Sequence, residues 1–174
     1  MIAETLLYTA GATAGVLSYG LRKKRPETSN KLFSFSIIVA ALNEEANIPD
    51  LLNSLEKLDF PPDRFEIILA NDRSTDDTFR LMEDFCSKEE NRTAINISSS
   101  NVTHPGKKVA LQAAADIAKH EFLLITDADC VVPANWLHTF NNYITPAIGM
   151  IVGFSPEISG TPFRQFSQMA SAGI

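Results

Sequence analysis

Acidic residues follow three separate apolar runs in this chain. Asn43-Glu44-Glu45 follow FSFSIIVAAL (33–42), Asn71-Asp72-Arg73-Ser74 follow FEIILA (65–70), and Asp127-Ala128-Asp129 follow EFLLIT (121–126). Aspartates two apart at the end of a strand point to one side if the backbone stays extended. Two such carboxylates repel unless something positive sits between them. A hard divalent cation, Mg²⁺ or Mn²⁺, is suitable because it takes oxygen ligands and shares them with substrate phosphates. Gly106-Lys107-Lys108 opens a helix-prone stretch, where backbone N–H groups and an ammonium can meet a phosphate. Each feature also has a plainer reading: a solvated strand terminus, turn residues, or a helix entrance favoured by its dipole. Three strands delivering carboxylates to one edge outweigh any one of them. The GxxxxGK[ST] phosphate loop is absent. His104, His120 and His138 have no metal-ligand spacing, and Cys130 reads as packing rather than as a nucleophile.

The elements that position these residues are legible from periodicity. The run 33–42 is nearly continuous in hydrophobicity, as expected of a strand covered on both faces. Asn47 can cap a helix with Ile48, Leu51, Leu52, Leu55 and Leu58 at helical spacing, stopped by Asp59-Phe60-Pro61-Pro62. A strand over 65–70 follows. Ser74-x-x-Asp77 has the form of a capping box before a helix that turns Phe79, Met82 and Phe85 inward. Residues 93–98 form a weaker third strand, 106–119 an Ala-rich helix, 121–126 a fourth strand, and Pro133 opens a helix carrying Trp136, Leu137 and Phe140. GMIVGF (149–154) reads as a fifth strand. This rhythm predicts an α/β domain with a mostly parallel sheet flanked by helices. Ligands of such sheets bind at the carboxyl ends of the strands.

The chain has 174 residues and a formal net charge of −6. That acidity argues against nucleic-acid binding, and two cysteines make no disulfide framework. The charge is uneven: residues 1–31 sum to +3 and residues 32–174 to −9. Between Glu4 and Arg22 lie 17 uncharged residues, enough for a short membrane-spanning helix of about 26 Å. The RKKR that follows favours a cytoplasmic carboxyl side. The expectation is a membrane anchor over 1–21, a basic linker over 22–32 broken by Pro26, and a cytoplasmic domain over 33–174. Asn91, Asn96 and Asn101 begin glycosylation sequons, which have no use in the cytosol.

SIIVAALNEEANI, ANDRSTDDT, GKKVALQAA and DADC, in that order and spacing, resemble the nucleotide-sugar-binding portion of the family 2 inverting glycosyltransferases. The resemblance implies a GT-A (Rossmann-like) fold that binds a nucleoside diphosphate sugar, typically UDP-linked, with a divalent metal, and transfers the sugar to an acceptor hydroxyl. It implies that Asn43 and Glu44 or Glu45 line the nucleoside pocket, and that Asp72 contacts base and ribose. Lys107 would lie near the nucleotide, Asp127 near the ribose, and Asp129 on the metal, with Asp127 beside it. Two positions depart from the pattern: Arg73 stands where glycine is usual, and Gln112 where asparagine is usual. A general base, Asp or Glu, would lie beyond the fifth strand. Only Glu157 is acidic there, and it reads as a loop residue, so no catalytic base is assigned. The expectation is a C-terminally incomplete, membrane-anchored glycosyltransferase acting on a glycan or lipid acceptor. The alternatives are a binding module without turnover and a nucleotidyltransferase.

Overall fold

A computed structural model describes residues 31–97, 106–146 and 149–152. The chain divides into Thr28–Ala147 and a second unit of Met1–Glu27 with Ile148–Ile174. The expected anchor over 1–21, Glu157 and all but the end of the expected linker lie outside the described residues. Among the described residues, no helix is long and apolar enough to cross a membrane.

Among its described residues, the first unit is built on four parallel strands: β1 (Phe35–Ala41), β2 (Phe65–Asn71), β3 (Arg92–Asn96) and β4 (Phe122–Asp127). Their order is β3-β2-β1-β4. The chain therefore steps outward from β1 to β3, then crosses back to place β4 on the other side of β1. That reversal opens a crevice at the carboxyl ends of β1 and β4.

Both faces of the sheet are covered, which is why β1 and β2 read as continuous apolar runs rather than alternating ones. All seven residues of each strand are buried. Ile37, Val39, Ile67 and Leu69 pack on one face, with α1 (Ile48–Glu56), α2 (Thr78–Cys86) and α4 (Trp136–Tyr143). Ile38, Ala40, Ile68 and Ala70 face α3 (Lys107–Ile117) through Ala110 and Ala114. Helix α1 buries Ile48, Leu51, Leu52 and Leu55 as their spacing predicts. Pro49 is tolerated in its first turn, where the missing N–H has no intrahelical partner.

Four local expectations are corrected. Asn47 stands at the N-cap of α1, yet its side chain makes no cap bond; its amide donates to Glu44 Oε2 at 2.8 Å. The Ser74 capping box does not form: α2 starts at Thr78, and the Ser74 hydroxyl accepts from the Asn43 N–H at 2.9 Å instead. Pro133 lies outside α4, which starts at Trp136, and its carbonyl accepts from the Trp136 N–H at 3.0 Å. Residues 149–152 form no strand, and Met150 and Val152 are about four-fifths exposed, at 81% and 80%. An apolar run becomes a strand only when a neighbour completes its ladder.

A buried carboxylate fixes the opposite end of the sheet. Glu66 on β2 accepts from the Ser36 hydroxyl at 2.7 Å and from the Lys119 N–H at 2.6 Å, and Ser36 in turn accepts from the His120 N–H at 3.1 Å. Burial raises the Glu66 carboxyl, but the Lys119 N–H, the Ser36 hydroxyl and the Lys119 charge outweigh it and hold the group below its ordinary value. The turn between α3 and β4 is thereby tied to β1 and β2.

Candidate nucleotide-sugar site

Strands β1, β2 and β4 and the start of α3 deliver side chains to one cleft of about 490 Å³. Its walls include Leu42, Glu44, Asp72, Arg73, Lys107, Asp127 and Asp129. Five of the residues singled out from sequence thus converge, although they span 86 positions in the chain. Asn43 and Glu45 stand beside the cleft rather than in its lining.

Asn43 and Glu45 engage the neighbouring loop. Asn43 has a left-handed backbone, φ 54°, a conformation that asparagine tolerates better than most residues. Its Oδ1 accepts from the Thr75 N–H at 2.8 Å. The Glu44 N–H donates to Thr78 Oγ1 at 2.8 Å, and Glu45 exchanges bonds with Asp76 and Asp77. The loops after β1 and β2 are therefore laced together by reciprocal side-chain and backbone bonds. Loss of hydration raises the Asp76 carboxyl, but donors from Thr78 and Glu45 hold it below its ordinary value.

Asp72 is the buried acid of the site. Its N–H donates to the Ala41 carbonyl at 2.8 Å, clamping the ends of β2 and β1. Its side chain is 3% exposed. Arg73, also left-handed with φ 62°, turns its guanidinium back onto that carboxylate. Nε and Nη2 donate to the same oxygen, Oδ1, at 2.8 and 2.5 Å. Among the described residues, Asp72 Oδ2 and Arg73 Nη1 have no hydrogen-bond partner.

Across the cleft, Gly106 precedes α3 with φ 155° and ψ 163°, a backbone region open to glycine alone. Among the described residues nothing lies within 4 Å of where a Cβ would stand, so backbone geometry and not crowding requires the glycine. Lys107 begins α3, and its ammonium is ion-paired with Asp127 Oδ1. Lys107 thus brings a positive charge to Asp127. Another expectation is corrected here: β4 ends at Asp127, and residues 128–129 turn, with the Cys130 N–H donating to the Asp127 carbonyl at 3.2 Å. Both aspartates reach the cleft through a turn, not along an extended strand. Cys130 is half-buried, with its thiol 3.8 Å from Asp129 Oδ1. His138 packs edge-on against Phe60 at 4.9 Å, away from the cleft lining.

One cleft residue, Leu42, escaped the sequence reading. Leu42 was counted as part of a strand, yet it follows β1 and is half exposed. The pairing of Arg73 with its own neighbour had no sequence signal except the departure from glycine.

A parallel α/β sheet with acids and a helix N-terminus gathered at its topological reversal defines an open α/β domain with a ligand cleft at its strand ends. Comparison with known proteins makes this specific. Residues 36–170 match Glycosyl transferase family 2, and the chain belongs to that family. It is 36% identical over 98 residues to the poly(ribitol-phosphate) beta-N-acetylglucosaminyltransferase TarS of Staphylococcus aureus, covering 56% of this chain and 16% of that protein. It is 32% identical over 123 residues to beta-monoglucosyldiacylglycerol synthase of Nostoc sp., covering 71% of this chain and 26% of the synthase. The crystal structure of S. aureus TarS 1-349 with UDP-GlcNAc superposes with a TM-score of 0.54 at 35% identity, over 62% of this chain and 30% of that one. The mannosyltransferase PcManGT from Pyrobaculum calidifontis shares the fold, with a TM-score of 0.64 at 23% identity over 83% of this chain and 44% of that one. The chain therefore spans less than a third of the curated relatives named here.

Proposed function

We propose that this chain binds the nucleoside diphosphate sugar, UDP-linked, for a transferase that passes the sugar to an acceptor hydroxyl on a glycan or lipid. The observation that carries the reading is the convergence of Asp72, Lys107, Asp127 and Asp129 on one cleft at the strand reversal. The roles divide by chemistry. Asp72 Oδ2 is a buried acceptor suited to an N–H of the base. Lys107, at a helix N-terminus, suits the diphosphate. Asp127, ion-paired with Lys107, suits the ribose and metal side. The similarity to TarS, whose structure contains UDP-GlcNAc, supports the same donor class.

The residues fit a divalent cation of the Mg²⁺ or Mn²⁺ kind. Among the described residues no cluster of three or more His, Cys, Asp or Glu could hold a metal. Such cations are commonly bound by one or two carboxylates together with substrate phosphates. Asp129 would hold the ion, with Asp127 beside it. When bound, the ion supplies charge stabilisation to the departing nucleoside diphosphate. Inversion at the sugar carbon and a membrane anchor over residues 1–21, with the domain on the cytoplasmic side, belong to the same proposal. They are supported by the family and by the uncharged run before RKKR.

Calorimetric titration with UDP-GlcNAc tests this reading. Binding is expected in MnCl₂ and to weaken about tenfold or more in chelator or in Asp129→Asn, the scale of a lost charge-assisted contact. Equal binding with and without metal, unchanged in the variant, refutes the metal role. Absence of binding by any nucleoside diphosphate sugar refutes the donor site.

A further inference from the structure

We propose that Arg73 is a specificity residue that works with Asp72 to select bases carrying a ring N–H beside a carbonyl. The inference rests on the nucleotide-sugar reading of the cleft and goes beyond it by assigning Arg73 a role.

Arg73 spends two of its nitrogens on a single oxygen of Asp72. Among the described residues, that geometry leaves Oδ2 as an acceptor and Nη1 as a donor without partners, on adjacent residues of the cleft lining. The Asp72 carboxylate is 3% exposed and the Arg73 side chain 26%. A buried acceptor left without a donor is costly, and the partly exposed Arg73 donor beside it can serve the same ligand edge. A ligand edge that satisfies both gains the full difference. Uracil offers such an edge: its ring N–H donates to Oδ2, and the neighbouring carbonyl accepts from Nη1. Cytosine carries a lone pair at that ring nitrogen, which would face the carboxylate. It can match the pair only through its exocyclic amine, displaced by one ring position. A diphosphate held at Lys107 opposes that displacement. Arg73 also sets a counter-charge against the buried Asp72 carboxylate.

The left-handed backbone makes the test clean. Glycine adopts φ 62° without strain, so Arg73→Gly removes the guanidinium and retains the turn. UDP and CDP binding would be measured by calorimetry in MnCl₂ on the full chain, for wild type, Arg73→Gly and Arg73→Lys, with thermal melts to confirm folding. Wild type is expected to prefer UDP by about tenfold or more, the value of one satisfied buried contact. In Arg73→Gly the preference should fall about fivefold or more, through weaker UDP binding. Arg73→Lys should lose it as well, since an ammonium cannot hold Oδ1 with two nitrogens and still donate outward. A preference unchanged in both variants, or equal binding of UDP and CDP by wild type, overturns the role of Arg73 and leaves the donor site standing. Failure of wild type to bind either nucleotide overturns the donor site and the role of Arg73 with it.

Discussion

Lys107, the first residue of α3, is ion-paired with Asp127, the last residue of β4. The pair bridges the strand reversal, so the cleft has a basic and an acidic group held together at the place proposed for the diphosphate and its cation. Both side chains are about half exposed, at 52% and 57%.

That exposure separates stability from binding for Lys107. An ion pair so open to water contributes under about 1 kcal/mol. Lys107→Ala should therefore leave the unfolding midpoint nearly unchanged and weaken UDP binding about tenfold or more. The loss should be larger at low ionic strength, where screening is weak. Isothermal titration at two salt concentrations, beside a denaturant melt, checks both parts.

Glu66 is expected to matter for folding and not for the ligand directly. Glu66→Gln should cost about 1–3 kcal/mol, because a buried carboxylate with donors from Ser36 and Lys119 loses its charge. Its folded pKa lies below the ordinary 4.5. The stabilisation is therefore complete above the unfolded value and is lost as pH falls from there through the folded value. Urea melts of the two proteins should differ most at neutral pH and converge in acid below pH 4.5.

The laced loops after β1 and β2 predict a graded pair of variants at Asn43. Asn43→Ala removes the bond to the Thr75 N–H and puts alanine at φ 54°, costing about 1–3 kcal/mol in all. Asn43→Gly removes the bond but relieves the backbone, so it should cost less. An alanine variant as stable as the glycine variant would show that the left-handed turn relaxes on substitution.

Cys86, half-buried on α2, is predicted to resist alkylation. Burial pushes its thiol up to about 11, despite the nearby Arg92 charge. Thiolate is the reactive form, so iodoacetamide at pH 8 should label Cys86 slowly in the folded protein and readily in guanidinium. Peptide mass spectrometry over time distinguishes the two.

The strands and helices were legible because their causes are local. Continuous apolar runs at 35–41 and 65–71, helical spacing of Ile48, Leu51, Leu52 and Leu55, and the Ala-rich stretch after Gly106 each state their own structure. So were the acids, because a parallel sheet gathers whatever follows its strands at one edge. Cap assignments were less legible, since Ser74 and Asn47 have partners from residues either distant or simply better placed. The 149–152 run failed as a strand because pairing depends on a neighbour that hydrophobicity does not name.

The amino-acid sequence by itself determined that carboxylates and a Gly-Lys pair meet at the end of a parallel sheet, and which family they belong to. Only the tertiary structure decided how those groups share their bonds. Asn43 and Glu45 are committed to the adjoining loop, Lys107 lies on Asp127, and Arg73 takes one oxygen of Asp72 and leaves the other. The reason is physical: residue type sets what a side chain can donate or accept, but the partner it finds depends on backbone φ and on which strand ends β-sheet order brings side by side.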